Sequence, residues 1–311
     1  MRSTRVEPLP AGKEVEGFKD LVRRASGLEI RGPRRAVLER AIARRVAETG
    51  VPDAAALYRR LADPSQGRHD LESFIAALVV GETHFFRAPQ QFEALESRIL
   101  PDVIDRCRSG RRLRLWSAGC ASGEEAYSLA IVLRRMLPDL LEWDVTILGT
   151  DISRAALRKA SEGAYGPWSF RGVSGIYDGL FLRRGDEVEV RPEVRAMVEF
   201  RYLNLVDDVY PSASTGTQSM DLILCRNVLM YLAPESAGGV VARLHDALAE
   251  GGWLVVGYSD PLPEVSDQFG PCTLPAAAAY RKALVQPGSH AAEPAAERPP
   301  GEEARSRQPL G

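Results

Sequence analysis

The sequence predicts an α/β fold: a largely parallel sheet covered by helices, carrying a small antiparallel β insertion and preceded by an all-α N-terminal domain. Three observations predict it. Apolar residues recur at helical spacing from Val15 to about Val80, and after Arg111 short β-type runs alternate with helical patterns. Between residues 179 and 203 a period-two pattern interrupts that alternation.

In the first region Phe18, Leu21 and Val22 form one apolar stripe, and Val37, Leu38, Ala41, Ile42 and Val46 form another. Gly27, Gly32-Pro33 and Gly50-Val51-Pro52 divide it into short helices. The expected helical domain covers 13–80. Residues 13–60 hold twelve Lys/Arg against seven Asp/Glu, and Arg34, Arg35, Arg40, Arg44 and Arg45 surround one short helix. A solvated helix face is the plain account of such charges. Residues 81–110 form a linker and connecting helix.

From 111 to 285 the runs Leu113–Ser117, Val145–Thr150, Asp221–Cys225 and Trp253–Val256 read as buried strands, with helices at 123–136, 153–161 and 234–249. Right-handed crossovers then place the loops after the strand ends on one edge, where open α/β sheets bind ligands. The insertion, about 179–203, contains Arg184-Gly185-Asp186 as a turn, Val188-Glu189-Val190, and an apolar stretch from Val198 to Tyr202. The Pro-, Ala- and Glu-rich stretch 286–311 is expected to be a disordered tail.

Composition narrows the function. Of the 311 residues 45% are hydrophobic and 26% charged, as in an ordinary globular protein, and a net charge of −2 gives no global pull toward nucleic acid or membrane. Cys107, Cys120, Cys225 and Cys272 form no CxxC pair, and the four histidines form no ligand pair at helical spacing, so neither a metal site nor a disulfide framework is expected. No apolar run approaches a membrane span. A reduced, cytoplasmic setting follows.

Four segments carry chemistry. Leu113 to Ser128 runs from a strand through Gly119-Cys-Ala-Ser-Gly123 into a helix opening with Glu124-Glu125. The glycines are too far apart for a dinucleotide fingerprint, and the two acids suit a cationic ammonium better than a pyrophosphate. Helix capping by Ser122 with the two glutamates is the structural alternative. Next, Gly149-Thr-Asp151 ends a strand with a carboxylate that either accepts both hydroxyls of a ribose or caps the helix at Ser153. Third, Leu224-Cys-Arg226-Asn227 brings polar groups to a strand edge, with Tyr231 one short turn later. Last, in Gly81-Glu-Thr83-His-Phe85-Phe86-Arg87 the two phenylalanines anchor the linker while Thr83 and Arg87 point into a cleft.

Taken in chain order, with Thr83–Arg87 first, the four segments resemble the chemoreceptor glutamate methyltransferase family, commonly called CheR, over roughly residues 15–285. The resemblance implies a Rossmann-like, S-adenosylmethionine-dependent methyltransferase domain that forms glutamate methyl esters and S-adenosylhomocysteine. It also implies a role in chemotaxis signal transduction. Glu125 would hold the ammonium of the cofactor, Asp151 its ribose, and Asn204 and Leu205 its adenine. Cys225 and Arg226 would line the floor, with Thr83 and Arg87 closing over the methionine portion. Arg87 and Tyr231 would orient the acceptor carboxylate. Gly81 stands where the family often has Asn, and Ala126 where it often has Pro.

The implied partner is the cytoplasmic helical domain of a methyl-accepting chemoreceptor, met by Arg35, Arg40 and Arg44. A monomer is expected, with no nucleic acid and no membrane insertion. The short Arg184-Gly185-Asp186 turn argues against capture of a receptor C-terminal pentapeptide. Two rivals stay open: the same fold acting on a non-chemotaxis acceptor, and a non-catalytic cofactor-binding signalling module.

Overall fold

The computed structural model describes residues 12–65, 67–171, 173, 179–260, 269–274 and 277–284. The expected tail, 286–311, lies outside them. Helices α1 (Gly12–Ser26), α2 (Arg34–Thr49), α3 (Ala54–Ala62) and α4 (Arg68–Ala76) pack around Phe18. Its ring meets Tyr58 edge-on at 5.5 Å and Phe74 at 5.8 Å. The stripes predicted from periodicity are buried: Leu38 and Ile42 of α2 are fully enclosed while Val37 stays at the surface. A buried Leu or Ile side chain is worth roughly 2 kcal/mol in transfer alone, so these stripes decide how the helices roll.

Helix α5 (Pro89–Ala94) continues through a π turn (Leu95–Ile99) into α6 (Leu100–Cys107) and leads to the sheet. The order from there is β1 (Arg112–Ala118), α7 (Glu124–Met136), β2 (Asp144–Asp151) and α8 (Arg154–Glu162). Next come β3 (Ala164–Tyr165), β4 (Phe181–Arg184), β5 (Glu187–Val190), α9 (Pro192–Arg195) and β6 (Val198–Tyr202). The chain then forms β7 (Met220–Cys225), α10 (Pro234–Ala247), β8 (Leu248–Val256), β9 (Phe269–Leu274) and β10 (Ala277–Lys282). The main sheet has the order β6-β2-β1-β7-β8-β10-β9, parallel except for β10, which runs antiparallel to both neighbours.

Strand alternation divides the core in two. Leu113, Leu115, Leu222 and Leu224 face one layer; Trp116, Ala118, Ile223 and Cys225 face the other, under α10. The sheet grows outward from β1 through β2 to β6, then resumes on the other side of β1 with β7. A crevice opens at that reversal, between the loops leaving β1 and β7, as the topology of open α/β sheets requires.

The insertion differs from its predicted extent. Val198–Tyr202 does not belong to it: as β6 it pairs parallel with β2, Gly149 opposite Phe200. The small antiparallel sheet is instead β3-β5-β4, which recruits Ala164 and Tyr165 from upstream. An isolated apolar run carries no sign of which sheet will pair with it, because pairing is a long-range contact.

The helical domain docks directly on the crevice. Ala233 N–H donates to the Gly27 carbonyl at 2.8 Å and Glu29 N–H to the Tyr231 carbonyl at 2.9 Å, on either side of a bridge between Leu28 and Leu232. At the other end of the junction Arg154 donates to Glu72 at 3.1 Å and lies over the Tyr202 ring.

Candidate active site at the strand edge

The turn after β1 is shaped by what its neighbours leave no room for. Gly119 and Gly123 both have positive φ, and a Cβ on either would stand within 3 Å of Val228 or of Ala160 and Phe200. The chain therefore rounds the β1 edge tightly and opens α7 toward the crevice. The two glutamates that follow diverge. Glu124 is buried away from the crevice, accepting from the hydroxyls of Ser122 at 2.8 Å and Ser169 at 2.9 Å. It ties the turn to the segment that leads into the small sheet. Glu125 faces the crevice, and Ser117 Oγ donates to it at 2.7 Å. Ser122 does not cap α7; its N-cap is Gly123, without a side-chain hydrogen bond.

At the end of β2 the Asp151 carboxylate accepts from Ala121 N–H at 2.9 Å and Ser153 N–H at 2.7 Å. The helix cap itself is Ser153, whose hydroxyl accepts from Ala156 N–H. Asp151 thus spans the two loops instead of ending α8. Burial pushes its carboxyl above the ordinary value, partly countered by those backbone donors. Asp151 lines a cavity of about 930 Å³ together with Asn204, Leu205, Val228 and Tyr231. Its lining mixes apolar side chains with a few polar groups, as small-molecule sites do.

A second cavity adjoins the first, sharing Val80, Gly119, Ala121, Asn227 and Tyr231. Thr83, His84, Arg87, Glu125 and Arg226 line it. Its organising group is Arg226, 5% exposed. The guanidinium donates to Glu125 at 2.9 Å, to Gln91 Oε1 at 2.7 Å and to the Arg87 carbonyl. Three acceptors from three elements satisfy a buried cation that would otherwise be expensive. Arg87 itself donates to the Glu82 carbonyl at 2.7 Å, which holds its side chain at the cavity wall. The linker is pinned below it: Phe85 stacks on Phe170 at 4.9 Å and meets Tyr165 and Phe181 edge-on, and Phe86 packs on Phe92.

The structure brings Thr83, Arg87, Glu125, Arg226 and Tyr231 together in one cavity and Asp151, Asn204, Leu205 and Tyr231 in the other. Cys225 is corrected: its side chain lies outside both linings, buried in the layer beneath α10, because the residue before Arg226 on a strand faces the opposite way. Asn204 has a further task, since its amide donates to the Ala25 carbonyl at 2.8 Å and to Asp207 at 2.9 Å, stitching α1 to the sheet domain. Arg35 and Arg44 are exposed and salt-bridged locally, to Glu39 and Glu48, and Arg40 is exposed one turn from Arg44.

Three residues escaped the reading of the sequence. Gln91 carries the floor by holding Arg226 while donating to the Val256 carbonyl. Arg34 reaches from α2 over the Tyr231 ring at 4.9 Å and donates to the Leu78 carbonyl. His84 lines the second cavity with its Nδ1 buried and unpartnered, and burial, then Arg171 and Arg87, lowers its pKa. Only His84 had a signal, its place between Thr83 and Phe85. Cys120 also lines this cavity, yet burial, with Asp151 and Glu125 nearby, holds its thiol protonated.

An acid facing one cavity and an acid facing the other, joined by a shared glycine turn, fit a ligand with a cationic amino-acid end and a nucleoside end. Comparison with known proteins agrees. Residues 13–79 match the family model described as CheR methyltransferase, all-alpha domain, and residues 81–278 the one described as CheR methyltransferase, SAM binding domain. The chain is 31% identical over 265 residues to Chemotaxis protein methyltransferase 1 of Pseudomonas aeruginosa, covering 83% of this chain and 94% of that protein. It is 29% identical over 254 residues to Chemotaxis protein methyltransferase 2 of Vibrio cholerae, covering 81% and 86%. To the Probable biofilm formation methyltransferase WspC of Pseudomonas aeruginosa it is 30% identical over 271 residues, covering 87% of this chain and 62% of that protein.

Proposed function

Because the chain belongs to the CheR family of S-adenosylmethionine-dependent methyltransferases, we propose that it methylates glutamate side chains on the cytoplasmic helical domain of a chemoreceptor. The observation that carries this reading is the second cavity, where Arg87 and Tyr231 line the same space as Glu125.

Glu125 would take the cofactor ammonium and Asp151 the ribose diol, with Asn204 and Leu205 beside the adenine. When bound, the cofactor supplies a methyl group that leaves its sulfur as the C–O bond to the acceptor forms. A glutamate carboxylate, with a reference pKa of about 4.3, is already a nucleophile at neutral pH, so the chain need not supply a base. What it must supply is orientation and exclusion of water. Arg87 can hold the acceptor carboxylate through paired N–H groups and the Tyr231 hydroxyl can donate to a third lone pair, which leaves the fourth free to attack the methyl carbon. Thr83 and the Phe85-Phe86 anchor keep the linker over the cavity.

Docking falls to the exposed face of α2. Arg35, Arg40 and Arg44 offer a cationic surface to an acidic helical bundle, and the two-residue Gly185-Asp186 turn between β4 and β5 leaves little hairpin for a tether. A second reading keeps the chemistry and changes the output, since one relative is named for biofilm formation. Transfer of tritiated methyl from S-adenosylmethionine to a purified receptor cytoplasmic fragment tests the proposal. Base-labile label, absent with Arg87→Ala, is expected; no label, or base-stable label, sinks it.

A further inference from the structure

One buried charge plays no part in the machinery above. Asp260 lies beyond the end of β8, outside both cavity linings, and is 8% exposed. An ionised carboxylate in such a place is costly unless donors converge on it. They do converge. Oδ2 accepts from the backbone N–H of Gly257 at 2.8 Å and of Asn227, Oδ1 accepts from Met230 N–H at 3.0 Å, and Val228 adds another backbone donor. Its hydrogen-bond partners are main-chain N–H groups.

The segment gathered in this way is the turn that leaves β7. It carries Asn227, in the left-handed region at φ +59°, and ends in the single 3-10 turn Leu229–Tyr231. Asn is among the few non-glycine residues that adopt this conformation readily, so the chain can reverse sharply as it leaves β7. Asn227 and Tyr231 each line both cavities. From the opposite side the turn is held by Glu29 N–H on the Tyr231 carbonyl and by Arg34 over its ring. The carboxylate grips the turn from the sheet and the helical domain grips it from above. Tyr231 stands between them.

We propose that Asp260 is a positioning residue for methyl transfer: by binding the backbone N–H groups of the Asn227–Met230 turn, it sets where Tyr231 stands over the cleft. The proposal rests on the reading of Tyr231 as the group that orients the acceptor. A 3-10 turn of three residues has no slack, so displacement of its hydrogen-bonded start is passed to Tyr231 at its end. Nothing at the Asp260 site requires contact with cofactor or acceptor.

Asp260→Asn nearly conserves shape but turns an NH2 donor onto backbone N–H groups. The test is a double-mutant cycle on the full chain with Tyr231→Phe, measuring methyl transfer from S-adenosylmethionine to a purified chemoreceptor cytoplasmic fragment and S-adenosylhomocysteine affinity by calorimetry. Asp260→Asn is expected to lower kcat by about tenfold or more, to change the affinity by less than about threefold, and to cost less than about twofold further in the Tyr231→Phe background. Gly257→Ala is the second route to the same clamp, its Cβ falling 2.6 Å from Asp260 Oδ2 and 2.9 Å from Asn227 N. It should show the same pattern, and it decides the matter if Asp260→Asn does not fold. An equal cost in both backgrounds, or an unchanged kcat, overturns the positioning role while leaving the catalytic reading in place. If Tyr231→Phe alone leaves kcat intact, the role of Tyr231 and the proposal fall together.

Discussion

Arg226 places a guanidinium nitrogen 2.9 Å from the Glu125 carboxylate while its own side chain is 1% exposed and that of Glu125 is 13% exposed. The pair joins β7 to α7 across the floor of the second cavity. A buried cation and an anion open to the cavity are therefore interdependent. Truncating one leaves the other without its opposite charge in a place water reaches poorly. Glu125→Ala is expected to destabilise the chain by about 3–5 kcal/mol and to abolish calorimetric binding of S-adenosylhomocysteine. Adding Arg226→Met should recover most of the stability, read by thermal melting, but none of the binding.

If Asp151 takes the ribose as proposed, cofactor binding becomes sensitive to pH. Burial raises its carboxyl above the ordinary value of 3.8. With the folded value above the unfolded one, its contribution to stability is full below the unfolded value and is lost as pH rises through the folded one. The free protein is thus favoured at this site by mild acid. Binding runs the other way, because a ribose diol needs the ionised acceptor. S-adenosylhomocysteine affinity should fall as pH drops through the raised value, and in Asp151→Asn that acid limb should vanish while affinity at neutral pH falls by about tenfold or more. An acid limb that survives in Asp151→Asn places the titrating group elsewhere.

The proposed docking face of α2 lies apart from both cavities, so docking and chemistry should separate kinetically. Arg40→Glu with Arg44→Glu reverses charge on the exposed face of α2 without touching either cavity. The KM for the receptor fragment should rise by about tenfold, most strongly at low salt, with S-adenosylhomocysteine affinity unchanged. An unchanged KM would remove α2 from recognition.

Asn204 joins α1 to the sheet domain through the Ala25 carbonyl and Asp207. Asn204→Ala leaves those acceptors without their donor, at a cost of about 1–3 kcal/mol. The loss should show as a lower melting temperature and as faster proteolytic cleavage within residues 77–88, between α4 and α5. Protection equal to the unaltered chain would mean that the Gly27–Ala233, Glu29–Tyr231 and Arg154–Glu72 contacts suffice to hold the junction.

The architecture and many of the polar residues that line the two cavities were legible in the sequence, because their signals are local. Helical stripes such as Leu38-Ile42 and buried runs such as Asp221–Cys225 report their own burial. The strand ends at Gly119, Asp151 and Arg226 report which edge carries polar groups. Thr83, Arg87, Glu125, Asp151 and Tyr231 could be named as candidates on those grounds and on family resemblance. What needed the tertiary structure was everything settled by long-range partners. Val198–Tyr202 read as part of the insertion until its pairing with β2 placed it in the main sheet. Cys225 sits next to Arg226, which lines the second cavity, but turns its side chain to the other layer. Gln91, Arg34 and Asp260 act through carbonyls, rings and N–H groups contributed by segments distant in sequence, and no spacing announces such contacts. Periodicity determines which face of an element is buried; only packing decides what that face, and each polar group on its rim, will meet.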